Sequence, residues 1–469
     1  MKPLAKPLGI KDIVRATGAV WCGAREFTAP VHSGQAFFTH ICTDSRALTP
    51  GCLFVALRGE SFDGHDYIPA ALAGGAAFAL SQAHIDDPRV LRVEDTRRAL
   101  LAIAGLYRKL IAPKVAAVTG SVGKTTTKEM TACVLESAYK TLKTPANLNN
   151  EVGLSQTLFM LEADHGAAML ELGVDGPGQM PQLSLAAAPD VSIVTGIGVA
   201  HIANYGELGR RGILDEKMRI RDGMPDGATL LLNGDNDLLQ DFEDNRLRIL
   251  RYGMENPRND IIAASLRDEG GVTAFDILWQ GERYPARLPA LGKHNVLNGV
   301  AAFVAGVTLG VPPESAAQAL ANYSPEGMRQ RAVERGGYLI VEDCYNASPD
   351  SMRAAFATLR DMPCKGKKIA VLSDMLELGQ SESQDPYDVG AFAGECELDL
   401  LLCTGELSAE YVTGARSKGI ETAHCPDKDA LFDALMRAAR PGDILWFKAS
   451  RGMRLEEVLN KMYEKMKKE

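Results

Sequence analysis

The chain lacks any apolar run of about 18 residues, the length a membrane-spanning helix requires. Its opening stretch MKPLAKPLGIKDIV has no signal-peptide core. A cytoplasmic protein without stable membrane association is expected. Cys-x-x-Cys pairs are missing, histidines at zinc-ligand spacing are missing, and the nine cysteines are an odd number. This excludes a disulfide framework or structural zinc site and suits reduced thiols. Basic residues are dispersed and the formal net charge is -9, so nucleic acid is excluded as the main partner. Repeats and low-complexity tracts are lacking too. What is present is an ordinary globular composition, 46% hydrophobic and 24% charged, over 469 residues, enough for about three domains.

The most informative stretch is KVAAVTGSVGKTTTKEM, Lys114 to Met130. Val115 to Val118 read as a buried parallel strand, and the threonine-rich segment reads as a helix. Gly120, Ser121, Val122 and Gly123 form the turn between them. Glycine lets the backbone approach an anion, and the helix start offers free N–H groups and a positive dipole end. Lys124 would reach terminal phosphates, and the hydroxyl of Thr125 or Thr126 would hold magnesium. The usual form G-x-x-x-x-G-K-[ST] has glycine where this chain has Val118.

In chain order, residues 1–112 show a helix near Ile10 to Thr17, a buried strand LFVAL, a helix at Tyr67 to Gly74, and a strand and helix within Leu91 to Leu110. Thr43, Asp44, Ser45 and Arg46 sit in a turn able to present donors and acceptors. Pro113 marks a boundary. Residues 113–326 alternate strands and helices, with parallel runs at Val115–Val118, Ala167–Leu172, Val191–Val194 and Thr229–Leu232, the pattern of a mononucleotide-binding α/β domain. Asn147 to Glu151 form a loop before a helix at Gly153–Leu161. Glu171 ends one strand and His201 follows another, which places both at the crevice of a doubly wound sheet as candidate metal ligands. Asp260 to Leu288 reads as an antiparallel meander, and an alanine-rich helix starts within Leu291 to Asn298. Residues 327–469 repeat the alternation, with strands at Tyr338–Val341, Lys368–Ser373, Leu398–Cys403 and Ile444–Phe447 and a helix over Ser351–Leu359 started by Ser348-Pro349-Asp350. The fold class is therefore α/β in three domains, the last Rossmann-like without a second phosphate loop.

TDSR, LFVALRGESFDGHDYI, TGSVGKTTTKEM, NLNNEVG, ELGVDGPGQM, AHI, LGKHNVLN, CYNASPDSM, SDMLELG and KASR occur here in the order found in the Mur ligase family. The chain resembles that family over nearly its whole length. The phosphate loop and GKHN resemble all its members, and YNASPDSM, DMLELG and FDGHDYI resemble the dipeptide-adding branch. The resemblance implies a cytoplasmic ATP-dependent amide ligase that adds D-alanyl-D-alanine to UDP-N-acetylmuramoyl-tripeptide in peptidoglycan precursor synthesis, as a monomer. It implies that Lys124 and Thr125 bind ATP phosphate and magnesium, and that Glu171 and His201 are ligands to magnesium, of which two ions are expected. Asn295 and Asn298 would lie on the adenine side, Arg329 at the phosphate and Asp343 at the ribose. Thr43 to Arg46 would lie near the uridine nucleotide. Asn149, Asn150, Tyr345, Asn346, Lys448 and Ser450 complete the substrate-binding candidates.

Lys217, in DEKMRI, falls where the family carries a lysine carbamylated by carbon dioxide; its flanks alone read as a solvated helix. Val122 stands where many relatives have a polar residue and Arg219 where glutamate is common. The histidine often found after DMLELG is absent from GQSESQDPYDVG. The resemblance divides the work into a UDP-sugar-peptide domain (1–112), an ATP domain (113–326) and a dipeptide domain (327–469). Two rivals stand beside it: a Mur ligase or folylpolyglutamate synthetase adding a single amino acid, and a P-loop NTPase whose output is motion.

Overall fold

The computed structural model describes all residues except 1, 23–35, 60, 270, 326, 377, 379–382 and 468–469. The segment boundary at Glu326 and the first four residues of GQSESQDPYDVG, Gly379 to Glu382, lie outside the described residues.

Among the described residues three large sheets carry the chain, beside a two-stranded antiparallel pair of Leu8–Gly9 with Phe37–Phe38. The N-terminal sheet pairs Ile41–Cys42, Leu53–Val55, Phe78–Ser81 and Val90–Arg92 in parallel, with Val20–Trp21 antiparallel at its edge. The expected helix at Tyr67 to Gly74 is a 3-10 turn, Gly64–Tyr67, running into an α-helix, Ile68–Ala73, where Pro69 sits in the first turn.

The second sheet has nine strands. Lys114–Thr119 lies inside it, flanked by Ala167–Glu171 and Val191–Val194, all parallel. Thr141–Lys143 pairs outside Ala167–Glu171, and Thr229–Asn233 outside Val191–Val194. The chain thus leaves the Lys114–Thr119 strand toward one side and later returns to the other. That reversal opens a crevice at the carboxyl ends of these strands, where ligands of such sheets bind. The strands are continuous apolar runs because helices cover both faces. Beyond Arg248–Gly253 the sheet ends in the meander Ile261–Asp268, Thr273–Trp279 and Glu282–Leu288, whose last two pairings are antiparallel.

The third sheet orders Arg331–Arg335, Tyr338–Asp343, Ile444–Lys448, Lys368–Ser373, Leu400–Thr404 and Glu421–Cys425, antiparallel only at its first pair. The helix Pro349–Asp361 starts on a capping box, the Ser348 hydroxyl accepting from the Ser351 N–H and the Ser351 hydroxyl from the Ser348 N–H.

The first two sheets share a core through the helix Thr96–Ile111. Tyr107 on this helix is fully buried; its hydroxyl accepts from the Ala5 N–H at 2.9 Å and donates to the Leu161 carbonyl at 2.7 Å. Tyr107→Phe leaves both backbone groups without that partner. A loss of about 1–3 kcal/mol is expected, read as a lower thermal midpoint, with turnover per folded molecule unchanged.

Candidate active site

The phosphate-loop turn is held by its neighbours before any ligand arrives. Gly120 has φ 148°, and a Cβ there would overlap Thr195 Oγ1; Gly123 has φ 87°, and a Cβ would come within 2.9 Å of Asn298 Oδ1. The Thr195 hydroxyl faces the carbonyls of Val122 at 2.5 Å and Thr119 at 3.3 Å, and the Ser121 N–H donates to Gly196 O at 2.9 Å. The loop's carbonyls are thereby engaged from the sheet side. Lys124 opens the following helix, Lys124–Glu136, and folds its ammonium back onto the carbonyls of Gly120 (2.8 Å) and Ser121 (3.4 Å). Burial holds its pKa below the ordinary lysine value, opposed by the Glu171 charge and assisted by Arg329.

Glu171 closes its strand 2% exposed. One carboxylate oxygen accepts from Asn149 Nδ2 at 2.8 Å, whereas the other is buried with no hydrogen-bond partner among the described residues. A desolvated, orphaned carboxylate oxygen is costly unless a cation meets it. Thr125, Thr126 and His201 line the same cavity. A carboxylate and a hydroxyl are hard oxygen donors of the kind magnesium takes, with His201 the unusual member. The residues present therefore fit a magnesium ion.

Lys217 corrects the expectation of a solvated lysine. It ends the helix Gly209–Lys217 at 2% exposure and does not line the cavity. Its ammonium has no hydrogen-bond or ion-pair partner among the described residues. Burial drives its pKa well below the ordinary value, with the Lys124 charge adding to this and Glu216 opposing. Ile213 and Leu214, one helical turn before Lys217, are buried with it, which was the signal available in the sequence. Neighbouring Glu216 accepts from the N–H groups of Gly178 and Met180, at 2.8 and 2.7 Å, at the start of the helix Met180–Ala187.

The third domain supplies the opposite wall of a cavity of about 730 Å³. Arg329 stacks 3.8 Å over the Tyr345 ring. Asp343 and Lys448 form a buried ion pair at 2.8 Å, and Lys448 also donates to Asn346 O at 3.1 Å. Asn295 donates to Leu291 O (2.8 Å) and Gln330 Oε1 (2.7 Å); Asn298 Oδ1 accepts from Thr127 at 3.1 Å. Asn149, Asn150, Ser121, Val122 and Gly123 line the cavity as well.

Several sequence candidates stand apart from it. Gly120 lies behind the loop. The Ser450 hydroxyl accepts from the Leu376 N–H at 2.9 Å, buried away from the cavity. Thr43, Asp44, Ser45 and Arg46 lie in the turn after the strand Ile41–Cys42 and do not line the cavity. There Arg46 grips both oxygens of Asp44, at 2.9 and 2.8 Å, and pulls that carboxyl down to about 2.

Other residues at the cavity were not singled out from sequence: Arg97, Glu151, His294, Gln330 and Asp350. Gln330 accepts from both Asn295 and His294, a pairing across 35 residues that no local pattern marks. Asp350 accepts from the Val199 N–H at 3.2 Å, joining the third domain to the loop before His201. Its place in SPDSM was legible only as a helix start.

A glycine phosphate loop, a buried carboxylate on the flanking strand and a wall of both charge signs from a second Rossmann-like domain define a nucleotide-using enzyme of the two-lobed α/β class. Comparison with known families gives the particular one. Residues 38–114 match the Mur ligase family, catalytic domain; 118–306 match the Mur ligase middle domain; 328–451 match the Mur ligase, glutamate ligase domain. The chain belongs to the Mur ligase family. It is 36% identical, over 90% of its length and 93% of the relative's, to UDP-N-acetylmuramoyl-tripeptide--D-alanyl-D-alanine ligase of Bacillus subtilis (strain 168), and 32% identical over 90% and 93% to that of Escherichia coli (strain K12). Among solved structures it resembles MurF from Acinetobacter baumannii, with TM-score 0.86, 28% identity, and 98% and 100% of the two chains covered. It also resembles the MurF ligase of Thermotoga maritima in complex with ADP, with TM-score 0.81, 29% identity, and 91% and 98% covered.

Gly120→Ala forces both a left-handed φ and a clash with Thr195. A backbone strain of about 1–3 kcal/mol at the loop corresponds to roughly a tenfold weakening of ADP binding, to be read by calorimetry.

Proposed function

We propose that this protein is an ATP-dependent ligase that joins D-alanyl-D-alanine to UDP-N-acetylmuramoyl-tripeptide, in the cytoplasmic stage of peptidoglycan precursor synthesis and as a monomer. The observation that carries the reading is whole-length similarity to relatives of that name, together with a cavity that sets a phosphate loop against a second lobe. Among the described residues no helix is long and apolar enough to cross a membrane. Residues 1–112 take the UDP-sugar peptide, with Thr43 to Arg46 toward the uridine nucleotide. Residues 113–326 take ATP, and 327–469 take the dipeptide.

Amide formation in water needs a better leaving group than oxide. The tripeptide carboxylate attacks the terminal phosphorus of ATP, ADP leaves, and an acyl phosphate forms. The dipeptide amine then attacks the acyl carbon, the nitrogen loses a proton, and phosphate departs with its bridging oxygen. Lys124 stabilises charge on the transferring group, and Arg329 lies across the cavity for the same purpose. Asn295 and Asn298 hold the adenine side, and Asp343 the ribose. Tyr345, Asn346 and Lys448, with Asn149 and Asn150, position the peptides, and Ser450 supports the loop behind them. Two magnesium ions, one held by Glu171, His201 and Thr125, would supply further neutralisation of phosphate charge. Lobes closed over the cavity exclude water, which would hydrolyse the acyl phosphate.

The deciding assay is phosphate release with ATP and magnesium. It should require both UDP-N-acetylmuramoyl-tripeptide and D-alanyl-D-alanine; equal release from ATP alone would instead indicate a P-loop NTPase. In the same assay Lys124→Ala should lower turnover by about 100-fold or more without unfolding the chain.

Lys217 is read as a carbamate. Carbon dioxide reacts with a neutral amine, and a buried lysine without an ion-pair partner reaches that form more readily than a solvated one. The product is an anion with two hard oxygens beside Lys124. Lys217→Ala should lose most activity, and a short carboxylic acid in the buffer should restore part of it. Lys217→Arg should also fail. Wild-type turnover in either variant would overturn the assignment.

A further inference from the structure

Lys128 sits one helical turn beyond Lys124 and is buried in the core, at 1% exposure. Its ammonium donates to the carbonyls of Thr144 (2.8 Å) and Ala146 (3.4 Å) and pairs with Glu129 at 2.8 Å. Glu129 is in turn paired with Lys143. The segment it grips is irregular: Ala146 has φ 47°, a conformation a side-chain-bearing residue enters at a cost. From this segment two groups reach Glu171. Thr144 Oγ1 accepts the Glu171 N–H at 2.9 Å, and Asn149 Nδ2 donates to its carboxylate at 2.8 Å. The Asn149 carbonyl also accepts from the Gly173 N–H at 2.9 Å. The contacts run without a gap from the buried ammonium to the carboxylate whose second oxygen is unpartnered.

We propose that Lys128 is a positioning residue for the cation site: by tying Thr144 and Ala146 to the phosphate-loop helix it fixes the Thr144–Asn149 segment, which holds Glu171 with one oxygen free for magnesium. The inference rests on the reading of Glu171 as a magnesium ligand. A lysine serving only to fill the core would affect stability and leave the metal requirement alone. Outer groups that orient a metal ligand typically change metal affinity by about 10–100-fold.

Lys128→Met keeps the length and apolar stem, and Glu129 keeps Lys143, so no carboxylate is left without a partner. Lys128→Arg preserves a cation able to donate to the same carbonyls. Thr144→Val removes the acceptor of the Glu171 N–H and leaves the ion pair intact. ADP is titrated calorimetrically into each full-length variant with and without magnesium, and the magnesium concentration for half-maximal turnover is measured in parallel. In Lys128→Met and Thr144→Val the magnesium-dependent gain in ADP affinity should fall about tenfold, with metal-free ADP affinity within about twofold of wild type. Lys128→Arg should recover part of the loss. If Lys128→Met fails to fold, Thr144→Val and Lys128→Arg carry the test. A gain unchanged in the variants, or metal-free affinity lost to the same extent, overturns the positioning role alone. A wild-type protein whose ADP affinity ignores magnesium overturns the Glu171 assignment and this inference with it.

Discussion

The close approach of Thr195 to Gly120 is the constraint on which the site depends. A hydroxyl from the end of one parallel strand occupies the space that any side chain at position 120 would need, and its other contacts are the carbonyls of Thr119 and Val122. Orienting those carbonyls toward the sheet leaves the loop's amide side for an anion, which is what a phosphate cradle requires. Asn298 does the same beneath Gly123, and because Asn298 also accepts from Thr127 the loop and its helix are clamped as one piece. The cradle is thus made by tertiary contacts from two other elements around a sequence that supplies only the permissive glycines.

From that fixed piece the rest of the geometry follows by strand order. Glu171 stands in register with Val118 across one ladder, and Val194 with Thr119 across the other, so the carboxylate and the loop leading to His201 flank the turn at matched height. The third domain reaches the same point through the start of the helix Pro349–Asp361. Asp350 accepts from Val199, and a Cβ at Gly198 would overlap its carboxylate. Gly198 also donates to the Ser121 hydroxyl at 2.9 Å. A single short loop therefore touches both the phosphate turn and the second lobe. This is a physical route by which the lobe's position bears on the nucleotide site.

The parts of this arrangement that were legible in the sequence are those encoded locally. Val191–Val194 and Lys368–Ser373 could be read as strands because a strand covered on both faces must be apolar throughout. The helix Pro349–Asp361 announced itself by its cap. Edge strands did not: Thr141–Lys143, Arg331–Arg335 and Glu421–Cys425 are short or polar because only one side is paired, a composition shared with loops. The hydrogen-bond hub at Gln330 and the burial of Lys217 depend on what packs against them. Lys217 nonetheless shared a helical face with Ile213 and Leu214, a pattern masked by Asp215 and Arg219 on the other side.

Lys124, Lys128 and Lys217 lie near one another on two helices and meet different fates, decided by the acceptors each can reach. Lys128 has a carboxylate and two carbonyls, one acceptor for each of its three N–H donors. Lys124 has two loop carbonyls and stays half-buried at the cavity. Lys217 has burial and no described acceptor, and burial pushes its pKa well below the ordinary lysine value. The count of acceptors within reach thus separates the surroundings of the three side chains more sharply than the residue type does.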